Sequence, residues 1–137
     1  MSKADERAID DYLRAKGIHP QPNPGEAAGQ GDRLIDGLRA EYKTLSGVVN
    51  PTADKLSAAI SNRAMNARSQ APNVIIDARN QHGMNEGIVR RGAVRAYNAD
   101  DTIASAAGGA AKIESIRVIF KDASGNDTDI IVSRTTS

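Results

Sequence analysis

Three ionisable side chains that together can cut a phosphodiester fall in one short stretch: Asp32, Glu41 nine residues further on, and Lys43 two beyond that. Between the carboxylates stands Asp36-Gly37, flanked by Arg33 to Ile35 and Leu38 to Leu45. An Asp-Gly pair between apolar runs predicts a β-hairpin. Strand residues two apart share a face, so Glu41 and Lys43 project from one side and Ala40, Tyr42 and Thr44 from the other. A hairpin returning from Asp32 brings its carboxylate near Glu41, and two hard oxygen ligands suit Mg²⁺ or Mn²⁺ better than zinc. A cation held there acidifies its water and neutralises charge building on a phosphate in transfer. The Lys43 ammonium then holds the attacking water or the pentavalent phosphate. The plain structural alternative is a solvated Glu–Lys pair on one strand face, worth almost nothing to stability.

The elements that must position these residues can be read on either side. A first helix starts with Ser2 as N-cap and stops at Gly17, with Ile9, Tyr12 and Leu13 at core-facing spacing. Glu6, seven residues before Leu13, lies nearly on its apolar side. A charged carboxylate facing inward needs a partner, such as an arginine, or a catalytic purpose. From His19 to Gly31 the prolines and glycines predict a loop that delivers the chain to Asp32. Asn50-Pro51 opens a second helix running to Ser69, with proline at its first helical position and Leu56, Ala59, Ile60, Ala64 and Ala67 as its buried stripe. Lys55, Arg63 and Arg68 are most simply its solvated face.

Asn73 to Arg79 reads as a central strand covered on both faces. Asp77 and Arg79 share a face at its end, where they either pair with each other or leave the guanidinium to grip a phosphate bidentately. His82 follows at the carboxyl end of that strand, where open α/β sheets gather ligands. Asn85 to Tyr97 predicts a third helix, weakened by Gly87 and Gly92, whose Arg90, Arg91 and Arg95 form either a phosphate-contacting strip or a solvated face. Ala104 to Ala111 suggests a short helix broken by Gly108-Gly109. Ile116, Val118 and Phe120 alternate along a strand, Ser124 to Asn126 turns, and Ile130 to Val132 returns as the last strand. The order is helix, strand, strand, helix, strand, helix, strand, strand (αββαβαββ), an α/β (α+β) domain with a mixed central sheet flanked by helices. A parallel crossover through the second helix places Val74 beside the motif hairpin.

A chain of 137 residues suits a single domain, residues 1–137, with one core. Hydrophobic content of 39% and charged content of 26% exclude a disordered polyelectrolyte. No apolar stretch is long enough for a membrane span, no signal segment opens the chain and no targeting signal closes it at Ser137. Without cysteine there is no disulfide framework and no thiolate zinc site. A net charge of +1 does not advertise nucleic acid globally, so a polyanion must meet a local basic face. Three tyrosines and one phenylalanine are too few for broad base stacking, which favours a folded RNA read by its backbone shape.

Several pieces recur in the order of a known family. Glu6 to Lys16, Asn23-Pro24, Gly31 to Gly37, Glu41 to Thr44, Pro51 to Ser69 and Val74 to Arg79 together resemble the C-terminal tRNA-nuclease toxin domains of contact-dependent growth inhibition proteins and related bacterial polymorphic toxins. The Asp32…Glu41-x-Lys43 part is also similar to the PD-(D/E)XK nuclease motif, with Gly31 in place of the usual proline. The resemblance implies a restriction-endonuclease-like core, metal binding by Asp32 and Glu41, transition-state support from Lys43 and a contribution from Glu6. It implies tRNA as substrate, a cognate immunity protein that masks the site through an acidic surface, a monomer when free, and export within a larger effector delivered to the target-cell cytoplasm. Two other readings accompany it. One is a metal-independent ribonuclease of the barnase, colicin and RelE kind, on an α+β fold of that type, using His82, Lys43 and Arg79 to form a cyclic phosphate. The other is a non-enzymatic binding or assembly module.

Overall fold

A computed structural model describes residues 1–23 and 32–134. Pro24, Gly25, Gly29 and Gly31 of the expected loop and the chain end at Ser137 lie outside the described residues. The elements are α1 (Lys3–Ala15), β1 (Gln21–Pro22), β2 (Asp32–Ile35), β3 (Leu38–Thr44), α2 (Ala53–Ala67), β4 (Asn73–Asp77), α3 (Glu86–Ala106), β5 (Ser115–Lys121) and β6 (Asp127–Ser133). They build an α/β domain on one mixed six-stranded sheet in the order β1-β2-β3-β4-β5-β6. β3, β4 and β5 run parallel, and the flanking pairings are antiparallel.

The motif hairpin forms as the sequence predicts. Asp36 and Gly37 take positive φ of 52° and 79°, the left-handed pair that a two-residue turn matched to strand twist requires. The predicted crossover forms too, and Glu41 of β3 lies level with Val74 of β4. β4 is buried on both faces, with Val74 and Ile76 on one side and Ile75 on the other. The larger core fills the space between the sheet and α2 and α3; the smaller one, Ile9, Leu13, Ala40, Tyr42, Ile75 and Ile119, lies under α1. No helix among the described residues is long and apolar enough to cross a membrane.

Three expectations need correction. Within the loop predicted from His19 to Gly31, Gln21 and Pro22 pair with Leu34 and Arg33 as an additional edge strand. A two-residue strand leaves no periodicity to detect, and proline is tolerated at a sheet edge because its missing N–H faces outward. Thr52, not the residue before Pro51, caps α2 by accepting the Lys55 N–H at 3.1 Å, so Pro51 sits just outside the helix. α3 runs nine residues past Tyr97 and absorbs the start of the small-residue stretch. The sequence hides this because Asp100 breaks the apolar stripe. Although burial opposes its charge, the N–H of Ile113, the Arg68 guanidinium and the N–H of Lys112 overcome that penalty and hold its carboxyl below the usual range. Arg68 donates at 2.9 Å and Arg134 at 2.7 Å, so this carboxylate ties α2, α3 and the end of β6 together.

Gly92, read as a weak point of α3, is where α2 and α3 approach most closely. A Cβ there would stand 2.6 Å from Ile60 Cβ and 2.8 Å from the Ser57 carbonyl oxygen. Gly92→Ala is therefore expected to lower unfolding free energy by about 1–3 kcal/mol through overpacking. Gly87→Ala, whose Cβ meets only the Asn85 side chain at 3.5 Å, should be neutral or slightly stabilising. Urea midpoints of the two variants check this. Acid gives a second test. An aspartate more acidic in the fold than in the unfolded chain stabilises fully above about pH 4 and loses that contribution as pH falls through its folded value. Asp100, Asp127 and Asp129 all shift this way. Urea midpoints should drop on acidification below about pH 4, with a shallower fall in Asp100→Asn from a lower neutral plateau.

Candidate active site

Asp32 and Glu41 are direct cross-strand partners in the β2–β3 ladder. Directly opposite residues of an antiparallel pair have Cβ atoms about 4.5–5.5 Å apart and point to the same face. That face is fixed by neighbours: Ala40 and Tyr42 belong to the core under α1, so Glu41, Lys43 and Asp32 look the other way, toward α2. The chain just after α2 supplies Gln70, whose amide nitrogen, turned toward the carboxylate, donates to Glu41 Oε1 at 3.0 Å and Oε2 at 3.1 Å. Both acids are secluded, Asp32 being 3% and Glu41 6% exposed.

Asp32 Oδ2 accepts from Asn23 Nδ2 at 2.9 Å and lies 3.5 Å from Arg39 Nε. Its other oxygen, Oδ1, is buried and accepts no hydrogen bond among the described residues. An ionised oxygen without a donor in a buried place is costly, and a divalent cation is one group that would satisfy it. Among the described residues no three acidic or imidazole side chains converge. Two carboxylates fit Mg²⁺ or Mn²⁺ nonetheless, since Mg²⁺ is ordinarily held by one or two carboxylates with substrate phosphate and water filling the rest. Lys43 is half-buried on the same face, level with Ile76, and no hydrogen bond or ion pair engages it among the described residues.

Sequence reasoning missed three members of this site. Arg39 was readable, because it stands two before Glu41 and period-two alternation puts Arg39, Glu41 and Lys43 in one row. Its guanidinium also donates to the Gln70 carbonyl oxygen, so it bridges from Asp32 toward the α2 side. Asn23 and Gln70 arrive from distant segments and carry no local signal.

Three expected participants lie elsewhere. Glu6 faces the opposite side of the sheet: its Oε2 lies 3.7 Å from Arg33 Nη2, and Arg33 pairs with Ala40 on the α1 face. There Arg33 also donates to both oxygens of Asp10 at 3.3 Å and stacks over Tyr42, whose hydroxyl donates to Asp10 at 2.7 Å. Burial, with that carboxylate beside it, pushes the Tyr42 phenol far up. Glu6 thus meets the arginine partner that its inward position required. Arg79 is committed as well. It grips Asp77 in a fork at 2.9 and 2.8 Å, donates to the Ala8 carbonyl at 3.0 Å and stacks on Tyr12, which ties the end of β4 to α1. The hydrogen-bonded Asp77 carboxylate raises its pKa further. His82 is exposed in the turn after β4 and lines a surface depression together with Arg79, Asn80, Gln81 and Lys121, away from Lys43. Since Arg79 lies on the α1 side and Lys43 on the α2 side, the trio His82, Lys43 and Arg79 does not converge on one phosphate.

The arginine strip is likewise displaced. Arg90 pairs with Glu86 at 3.5 Å, Arg91 pairs with Asp54 and Arg95 donates to Ser57 at 3.1 Å. These contacts sit at the start of α2, whereas Glu41 is met just past its end; α2 has 15 residues, which at 1.5 Å each is a separation of about 22 Å. The strip is a partly neutralised surface remote from the carboxylates.

Compared with protein-family models, curated proteins and solved structures, the chain matches none.

The Arg79 assignment yields a direct test. Arg79→Ala should lower unfolding free energy by about 1.5–3 kcal/mol in urea denaturation, the range for hydrogen bonds to a charged group. Unchanged stability would overturn this anchoring role.

Proposed function

We propose that the domain is a divalent-metal-dependent endonuclease that hydrolyses phosphodiester bonds of tRNA, acting as a toxin in competition between bacteria. The observation that carries the chemistry is the cross-strand pairing of Asp32 with Glu41, with Lys43 on the same face and the buried Asp32 Oδ1 lacking a donor among the described residues. The choice of tRNA rests on the resemblance of the ordered motifs, as do a cognate immunity protein and delivery to a target-cell cytoplasm within a larger exported effector. Asp32 and Glu41 would hold Mg²⁺ or Mn²⁺, which when bound supplies an acidified water and neutralises phosphate charge. Lys43 directs its ammonium to a non-bridging phosphate oxygen, where charge develops as the bond breaks. Asn23 and Gln70 orient the two carboxylates, so their geometry is set before substrate arrives.

One observation favours a different reading. Asn23, Arg39 and Gln70 already contact the carboxylates, as they would in a purely structural polar cluster of a non-enzymatic binding module. Incubating the purified domain with total tRNA and with plasmid DNA, each with Mg²⁺ and with EDTA, separates the two. The nuclease reading expects tRNA cleavage in Mg²⁺ that EDTA abolishes, and a fall of roughly 10²–10³ in kcat for Lys43→Ala, typical of removing one transition-state donor, with unchanged circular dichroism. Cleavage that persists in EDTA refutes metal dependence. No cleavage of either substrate, with binding activity retained by Asp32→Ala and Lys43→Ala, establishes the binding module instead.

A further inference from the structure

Asp32 is 3% exposed, yet the guanidinium that faces it belongs to a side chain 48% exposed. Arg39 is thus a partly solvated cation reaching inward to a secluded carboxylate: Nε stands 3.5 Å from Asp32 Oδ2, a long contact, while Nη2 is engaged by the Gln70 carbonyl. Gln70 in turn holds Glu41 through its side-chain amide. One residue therefore anchors both the arginine and the second carboxylate. The arrangement places a monovalent positive charge beside a pair of like charges that repel each other, while leaving Asp32 Oδ1 without a donor among the described residues. A guanidinium cannot enter the space between two opposed carboxylates as a small ion can, because its planar fork is broad and its stem is fixed to β3.

We propose that Arg39 is a stand-in for the cation: it balances Asp32 while the divalent ion is absent, gives up that contact when the ion binds, and then presents its fork to the phosphate of the substrate. This rests on the metal-dependent reading above and adds to it a residue that couples ion binding to substrate contact. Two positive groups compete for one carboxylate, so removing Arg39 must strengthen ion binding. Losing a phosphate contact must at the same time weaken turnover of substrate. A merely structural arginine moves neither quantity in these opposed directions.

The test uses the whole chain and Mn²⁺ as the probe, with affinity read by calorimetry and by electron paramagnetic resonance of free Mn²⁺. Arg39→Ala is expected to bind Mn²⁺ about tenfold more tightly than wild type, within the usual span of coupling between sites, while kcat/KM for tRNA falls. Arg39→Lys retains a cation and should stay close to wild-type Mn²⁺ affinity. Asp32→Asn should abolish binding and so place the ion at the pair. Thermal unfolding gives a readout independent of activity: Arg39→Ala melts below wild type without metal, and saturating Mn²⁺ closes most of that gap because the ion takes over the balancing charge. If wild type binds Mn²⁺ and cleaves but Arg39→Ala binds it no more tightly, or its melting deficit persists in saturating Mn²⁺, the stand-in role is overturned and the nuclease reading survives. If wild type neither binds Mn²⁺ nor cleaves, both fall together.

Discussion

The two-residue turn at Asp36 and Gly37 sets the register on which everything at the candidate site depends. With both residues in the left-handed region, Ile35 faces Leu38 and the ladder runs back to bring Asp32 opposite Glu41. Side chains alternate along a strand, so a slip of one residue would send Asp32 to the α1 face and leave Glu41 alone. The slip is opposed from both sides. Ala40 and Tyr42 must remain in the core under α1, and Arg33 must reach Asp10 through a buried hydrogen-bonded pair. The polar cluster beneath α1 is thus the structural counterweight of the carboxylate pair on the other face.

That division between the faces organises the charged residues of the whole domain. On the α1 side, Arg33, Arg79 and Arg117 are each committed to aspartates, and Tyr12 and Lys16 meet on Asp129. Where α2, α3 and the end of β6 meet, Asp100 gathers Arg68 and Arg134. Buried or half-buried ion pairs of this kind contribute less to stability than their Coulomb attraction suggests, because both partners lose hydration. What they impose is position, since removal of either partner strands the other. Lys43 stands apart from this pattern, being on the carboxylate face without an acidic partner among the described residues.

Local rules carried the sequence reading where they had something local to act on. The Asp-Gly turn, the Ser2 cap, the doubly buried run at Val74 to Ile76 and the closing hairpin from Ser115 to Ser133 each follow from adjacent residues, and each forms. The parallel crossover followed from the helix between two strands. Failures arose where distant segments decide. Nothing near Asp100 announces that Arg68 and Arg134, 32 and 34 residues away, will let a carboxylate sit in the middle of a helix interface. Glu6 illustrates the same limit, because an inward carboxylate on α1 is visible in the sequence, whereas the side of the sheet that α1 covers is not. Gly92 reverses its meaning for a like reason: helix propensity counts it as a defect, and packing against Ile60 makes it a requirement. At the site itself, Arg39 was available by alternation alone, while Asn23 and Gln70 depend on how separate pieces of chain meet.

Among the described residues α1 alone covers its side of the sheet, and this has a mechanical consequence. α1 rests on a small apolar patch and is otherwise fastened by Arg33 to Asp10, Arg79 to the Ala8 carbonyl, and Tyr12 and Lys16 to Asp129. The interlocked pair α2 and α3 is keyed together at Gly92 and seated on the larger core. Tension applied at the amino end would therefore strip α1 as a unit by breaking polar ties one after another, and would reach the buried β4 only after that outer layer had come away.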